Sequence, residues 1–173
     1  MMCSRHGVGA RVWPWMALLF AASLGTVQCS SLTSDQPNGN AGTTRLVIVR
    51  DASPATLQSW PTDPFVIDVV AVTGDVLTVM VHYAGGCRPH DFTLVIPAAF
   101  LESHPVQSNA LLAHDAHDDA CEAIISRSLV FDLSPLKAAF QQAYQQTTGT
   151  IRLNVATTPD WSGSAVSRVT YTF

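Results

Sequence analysis

Charged residues are scarce in this chain of 173 residues, and that scarcity limits what it can bind. The chain has 9 Lys and Arg residues against 13 Asp and Glu residues, which gives a net charge of −4 at pH 7. Nucleic-acid-binding proteins concentrate Lys and Arg on one face, whereas the basic residues here are few and scattered. We therefore expect no nucleic acid among its partners.

The sequence also lacks the short motifs that mark common enzymes. It has no Gly-x-Ser-x-Gly elbow around a nucleophilic serine, and no glycine loop that would cradle a phosphate ahead of a helix. A redox Cys-x-x-Cys pair is absent as well. Ser, His and Asp are all present, but their order along the chain indicates no catalytic arrangement. We therefore expect no enzyme activity.

Long apolar runs are missing too, and the one near the N-terminus is too short to span a bilayer comfortably. Residues 13–24 form an apolar run that follows Arg5 and Arg11 and contains Pro14. This length and charge are typical of a signal-peptide core. Residues 1–28 are therefore predicted to be a signal peptide, and the protein is predicted to reach the bacterial periplasm or outer membrane.

The four cysteines favour one of two ways of processing this leader. Cys3 leaves with the leader, and Cys87 and Cys121 can pair in an oxidising compartment. Cys29 would then be an odd, exposed thiol, which lipidation would remove; the alternative is ordinary cleavage after Gly25. A disulfide between residues 34 positions apart is worth roughly 3–4 kcal/mol of stability.

The remaining chain divides into a tether and one domain. Residues 29–44 are rich in Ser, Thr, Asn and Gly, which is typical of a flexible tether. Residues 45–173 alternate short apolar runs with Gly and Pro turns, which predicts an all-β domain: an immunoglobulin-like antiparallel β-sandwich of about eight strands. One short crossover helix is expected, with Ser134 as its capping residue and Pro135 in its first turn.

Two hairpins are expected within this domain. The first joins residues 65–72 to residues 76–83 around the turn Thr73-Gly74-Asp75. The second joins residues 107–114 to residues 121–131, with an acidic, His-rich tip between them.

Histidines and carboxylates near the two central cysteines suggest a metal site. The expected disulfide would bring His90 to the same end of the sandwich as the His-rich tip. Imidazole nitrogens with a carboxylate suit zinc or copper, so the candidate ligands are His90, His114 and His117 with Asp115 or Asp118. The competing interpretation is a solvated turn and a packed histidine. A calcium loop is not indicated, because the Asp spacing of an EF-hand is absent.

Two tryptophans in predicted loops, Trp60 and Trp161, could stack on a sugar or a protein partner. The alternative is that both rings cap the core.

The motif residues resemble those of a group of secreted bacterial lipoproteins of no established activity. The similar residues are the run Tyr83-Ala84-Gly85-Gly86-Cys87 with His90 and Phe92, His114 ahead of Asp119-Ala120-Cys121, and residues 129–136. The resemblance covers about residues 65–173. It implies export and the pairing of Cys87 with Cys121, and it implies no activity.

Together these observations predict an exported cell-envelope lipoprotein whose domain is a non-catalytic binding or structural module. Its partner is an unidentified protein or small ligand. The alternative is an envelope metal-binding protein that uses the His cluster. No cofactor is expected apart from the zinc or copper of that alternative.

Overall fold

The structure is a computed structural model that describes residues 41–161 and 166–173. The predicted signal peptide, Cys29 and most of the predicted tether lie outside the described residues. Neither helix in the described part of the chain has the length and apolarity needed to span a bilayer.

Eight strands and two helices make up the described chain. The strands are β1 Ala41–Val49, β2 Val66–Thr73, β3 Val76–Gly85, β4 His90–Pro97, β5 Val106–Asp115, β6 Ala123–Asp132, β7 Thr150–Ala156 and β8 Ser167–Thr172. The helices are α1 Pro54–Gln58 and α2 Ser134–Tyr144. The strand β1 begins at Ala41, four residues earlier than expected, so residues 41–44 of the predicted tether belong to the sheet.

The strands form two sheets, which confirms a mainly β fold of about eight strands. One sheet has the order β1-β4-β5-β7-β8 and the other has the order β2-β3-β6. The prediction that all strands pair antiparallel was wrong for two pairs. β1 runs parallel to β4, and β5 runs parallel to β7. Parallel neighbours need a long crossover. Here the chain visits the three-stranded sheet between β1 and β4, and again between β5 and β7.

The two sheets share one hydrophobic core, as a sandwich requires. Its buried side chains come from both sheets and from α2: Leu77, Val79, Val81, Phe92, Leu94, Ile96, Leu112, Leu129, Phe131, Leu136, Phe140, Leu153 and Tyr171. Along β3 every second residue is buried, which places one face of the strand on the core. The β2–β3 hairpin is confirmed, with Thr73 paired to Val76 and Gly74 at φ +56° in the two-residue turn.

The second expected hairpin is wrong. β5 and β6 follow one another in the chain but lie in different sheets, since β5 pairs with β4 and β7 while β6 pairs with β3. The His-rich segment between them crosses from one sheet to the other. Bonds formed by Asp119 and Cys121 hold the end of this crossing beside β3, as described below.

The expected crossover helix is present, but its cap differs from the prediction. The capping residue of α2 is Leu133, without a side-chain hydrogen bond, and the backbone N–H of Ser134 donates to Asp132 Oδ1 at 2.8 Å. The expectation that Ser134 caps the helix was therefore wrong, while Pro135 does lie in the first turn.

The outer face of the five-stranded sheet is partly covered. Leu57 of α1 packs there with Val95, Leu111 and Ala113 in a second, smaller cluster. Trp60 and Trp161 pack against the same cluster. The loop that the sequence placed between β1 and β2 therefore holds α1 and Trp60 against the sheet, next to the strands that carry the candidate site.

Candidate functional site

The disulfide Cys87–Cys121 is present, which confirms the expected pairing. The two Cα atoms are 5.8 Å apart. Cys87 follows β3 and Cys121 precedes β6, and the strands themselves pair up to Gly85 and Ala123. The disulfide therefore closes the end of this strand pair. It holds the segment that crosses between the sheets beside Gly85 and Gly86, which we call the glycine corner.

A buried carboxylate, Asp119, binds the backbone on both sides of the disulfide. Its Oδ2 accepts hydrogen bonds from the backbone N–H groups of Gly86, Cys87 and Arg88 at 2.9, 3.0 and 2.9 Å. Its Oδ1 accepts from the N–H of Cys121 at 3.0 Å. The N–H group of Cys121 above all, and then those of Arg88 and Cys87, hold the pKa of the Asp119 carboxyl well below its usual range against the opposing effect of burial, because each stabilises the ionised form. Asp119 is therefore a carboxylate.

Sequence reasoning named Asp119 only among the residues that resemble those of secreted lipoproteins and so missed its role. The available signal was its position two residues before Cys121, where an Asp side chain can bond the backbone N–H of its second neighbour. The three N–H groups from the glycine corner could not be assigned before the crossing was known.

His90 and His114 form a buried pair beside Asp119. His90 begins β4 and His114 lies near the end of the adjacent strand β5, and each side chain is about 1% exposed. The ring atoms His90 Nδ1 and His114 Nε2 are 2.8 Å apart. His90 Nε2 lies 3.2 Å from Asp119 Oδ2, and His114 Nδ1 lies 3.1 Å from the carbonyl oxygen of Asp63. All four ring nitrogens are engaged.

These contacts indicate how the protons of the pair are arranged. The Asp63 carbonyl and the Asp119 carboxylate can only accept, so His114 Nδ1 and His90 Nε2 must both donate. The short contact between the rings needs one further proton. Three protons on four nitrogens correspond to a single positive charge on the pair, and the Asp119 carboxylate 3.2 Å from His90 Nε2 favours its placement on that ring. Burial first, and then the charge of His90, lowers the pKa of His114, while the bond to Asp63 opposes the shift.

Aromatic rings enclose the pair. Tyr83 stacks on the His90 ring with centroids 4.5 Å apart, and Phe92 stacks on the His114 ring at 4.3 Å. Phe65 meets the His114 ring edge-on at 5.3 Å. A cationic imidazole on the face of a tyrosine ring is favourable. The pair is thus a packed, closed unit in the core at the disulfide end.

The five candidate metal ligands do not converge. His90 and His114 face each other, whereas His117 lies at the surface with its Nε2 3.0 Å from Asp91 Oδ2 and its Nδ1 3.5 Å from Asp115 Oδ1. Asp118 is exposed. Within residues 41–161 and 166–173, one group of three possible ligands has its ligand atoms within 4.8 Å of one another. This group is Cys87, Asp119 and Cys121. Its two sulfurs are bonded to each other.

An open pocket lies on the outer face of the five-stranded sheet, next to the His117 tip. It has a volume of about 200 Å³ and is lined by Thr43, Arg45, Trp60, Pro61, Asp91, Thr93, Ala113 and Asp115. The strand register explains why these side chains meet. Arg45 is paired with Thr93 and Thr93 with Ala113, while Asp91 is paired with Asp115. Side chains two residues apart on a strand share a face. The row of Arg45, Thr93 and Ala113 and the row of Asp91 and Asp115 therefore both point outward.

Of the two candidate stacking residues, only Trp60 lines this pocket. Both tryptophans are half-buried and pack on the same small apolar cluster. Trp161 also points its Nε1–H at the carbonyl oxygen of Ala110, 3.4 Å away. The Arg45 guanidinium lies over the Trp60 ring at 5.9 Å. Trp60 is thus a partly exposed aromatic wall beside charged groups, and Trp161 is a packing residue on the same sheet face.

The comparisons with known proteins assign no family to this chain. No protein-family model and no curated protein matches the chain. Similar solved structures include a candidate toxin-related protein of Parabacteroides distasonis, at 20% identity, TM-score 0.48, covering 75% of this chain and 60% of that one. A NigD-like immunity protein of Bacteroides caccae has 17% identity and TM-score 0.47, covering 76% of this chain and 58% of that one.

A candidate lipoprotein of Bacteroides fragilis is a third similar structure, at 12% identity and TM-score 0.48, covering 75% of this chain and 69% of that one. This chain therefore spans only about 60% of the length of the first two structures. At these identities and TM-scores the similarities carry no functional argument. The resemblance to secreted lipoproteins stays a prediction.

Proposed function

We propose that the chain is an exported lipoprotein of the bacterial envelope and that its sandwich is a non-catalytic binding module. The observation that carries the binding role is the pocket beside Trp60. It combines an aromatic wall with a guanidinium and two carboxylates on adjacent strands of a rigid sheet. Small-ligand sites typically combine an apolar or aromatic wall with a few fixed polar groups.

The cysteine count supports the lipid anchor. Cys87 and Cys121 are bonded to each other, which leaves Cys29 as the unpaired cysteine downstream of the predicted signal core. Disulfides persist in oxidising compartments such as the periplasm, so the bonded pair agrees with export. A lipid on Cys29 would hold the domain at a membrane surface through the chain that precedes β1.

Mass spectrometry of the protein purified from bacterial membranes tests the anchor. We expect an N-terminal diacylated Cys29 and a Cys29→Ser variant that is released from the membrane fraction. An unmodified N-terminus at Thr26 would reject the lipoprotein proposal and support ordinary cleavage after Gly25. Mass measurement before and after reduction checks the disulfide in the same sample.

The closed His pair argues for a non-catalytic module and gives no pre-formed ligand set to the metal-binding alternative. A general base must reach its substrate and a metal ligand must offer a nitrogen lone pair, whereas the nitrogens of His90 and His114 are hydrogen-bonded within the core and each side chain is about 1% exposed. Titration with zinc or copper separates the two functions. Tight binding by the wild type that is lost in a His114→Ala, His117→Ala double variant would favour the metal-binding alternative.

A further inference from the structure

We propose that the pocket beside Trp60 binds one ring of a neutral, polyhydroxylated ligand, that is, a sugar residue. This inference rests on the proposed binding role and names the class of ligand for that same site.

The size of the pocket limits it to one ring. Its volume is about 200 Å³, below the range of roughly 300–1,000 Å³ that is usual for sites of drug-sized ligands. The pocket is also open to solvent on the outer face of the sheet, so a longer chain of sugars could continue beyond the ring that it holds.

The aromatic wall is held in place before any ligand arrives. The segment that follows Trp60 is hydrogen-bonded along β5: His114 N–H donates to the carbonyl oxygen of Pro61 at 3.0 Å, and Asp63 N–H donates to the carbonyl oxygen of His114 at 3.1 Å. The Trp60 ring itself packs on Leu57 and its neighbours. A fixed aromatic ring loses little conformational freedom on binding and offers a flat apolar face to the C–H side of a sugar ring.

The polar groups of the pocket are also fixed by the protein. Asp91 Oδ1 accepts from the backbone N–H and the hydroxyl of Thr43, and Asp91 Oδ2 lies 3.0 Å from His117 Nε2. The Nε–H of Arg45 donates to Thr93 Oγ1 at 3.1 Å. The carboxylates of Asp91 and Asp115 accept hydrogen bonds and the Arg45 guanidinium donates them, which is what neighbouring hydroxyl groups need.

The mixture of charges favours a neutral ligand over a charged one. Asp91 and Asp115 repel an anion, whereas the Arg45 guanidinium, 5.9 Å from the centroid of the Trp60 ring, repels a cation in the same pocket. A hydroxyl group meets neither repulsion and can bond both kinds of side chain. The remaining wall, formed by Pro61 and Ala113, is apolar.

Saturation-transfer difference NMR on the full mature chain tests the inference, with glucose, galactose, mannose and N-acetylglucosamine as probes. We expect transfer from protein to ring protons of at least one of these sugars. Trp60→Ala should weaken binding about tenfold, the loss expected for one stacking contact. Trp161→Ala is the matched control, because it removes the same ring from the same apolar cluster outside the pocket. Transfer to no sugar, or equal loss in both variants, would overturn the inference.

A second pair of variants keeps the test independent of Trp60 packing. Asp91→Asn should weaken sugar binding about tenfold, as expected for a lost bond to a charged group. Asp68→Asn changes a similar carboxylate, 2.8 Å from the His82 ring in the other sheet, and should leave binding unchanged. Stronger transfer to tetramethylammonium than to any sugar would assign the site to cations instead.

The two proposals fail separately. Protein that carries a lipid on Cys29 but transfers saturation to none of the sugars keeps the anchor and loses the ligand class. Protein that binds a sugar but has an unmodified N-terminus keeps the ligand class and loses the anchor.

Discussion

At the scale of single residues, the proton count of the His90–His114 pair follows from which atoms can only accept. NMR of the ring nitrogens near neutral pH should show His90 protonated on both nitrogens and His114 on Nδ1 alone. In an Asp119→Asn variant the side-chain amide can donate to His90 Nε2, so His90 should become neutral. A neutral His90 in the wild type would contradict the assignment of the charge.

The buried groups also give the protein a defined response to acid. Folding lowers the pKa of His114 from 6.5. Below about pH 6.5 this residue therefore binds more protons in the unfolded chain than in the folded one, and the free energy of unfolding decreases as the pH decreases. One proton gives a slope of at most about 1.4 kcal/mol per pH unit. The pKa of Asp119 is also lowered from 3.8, so its contribution is present above pH 3.8 and is lost below it.

Urea unfolding as a function of pH checks this response. His114→Gln removes one titrating group, so the free energy of unfolding should decrease less steeply below pH 6.5 than in the wild type. Its decrease below pH 3.8 should remain. The exposed His104→Gln is the control and should follow the wild type. Equal curves for His114→Gln and the wild type would show that His114 does not cause the decline.

The sequence indicated part of this site and could not indicate the rest. The sequence offered a packed histidine as the alternative to a metal ligand at His90, and His90 is buried. Its partners depend on which strand lies beside β4, and that is a tertiary fact. The pocket beside Trp60 depends in the same way on the parallel register of β1 with β4, which no local pattern specifies.

At the scale of elements, the junction between α2 and β7 is closed tightly by a glycine. A Cβ atom at Gly149 would lie 2.5 Å from the Phe140 ring, and the backbone of Gly149 pairs with that of Phe173 in both directions. Gly149→Ala should therefore lower the free energy of unfolding by about 1–3 kcal/mol through overpacking.

A double-mutant cycle measured by urea denaturation tests the cause. Phe140→Leu removes the ring atoms that a Cβ at position 149 would meet, so Gly149→Ala should cost less in that background than in the wild type. Additive effects of the two substitutions would show that the cost of alanine has another origin, such as the local backbone.

Elements defined by local signals were predicted well, and pairings between distant strands were not. The Gly74 turn specified the β2–β3 hairpin, and Pro135 marked the first turn of α2. The same signal for α1 was overlooked, since Pro54 follows Ser53, whose side chain accepts from Thr56 N–H at 3.3 Å. β5 and β6 were predicted to form a hairpin because they follow one another along the chain, and adjacency in sequence does not say which sheet a strand joins.

At the scale of the whole molecule, the disulfide end is where the two sheets are held together. Asp119 binds the glycine corner of the three-stranded sheet and the His90 ring of the five-stranded sheet. Arg127 of β6 reaches across in the same region, with its guanidinium 2.8 Å from the carbonyl oxygen of His90 and over the Phe92 ring at 5.6 Å. The covalent bond and the polar network therefore brace the same end of the molecule.

We predict that the polar network persists when the disulfide is lost. A Cys87→Ser, Cys121→Ser variant should lose about 3–4 kcal/mol of unfolding free energy, because the loop of 34 positions is no longer closed in the unfolded chain. Its folded state should keep the His90 and His114 nitrogen signals of the wild type, since the Asp119 bonds remain. Asp119→Ala should do the reverse, shifting those signals while the disulfide stays intact. If the serine variant also lost the signals, the network would depend on the covalent bond and the two braces would be one.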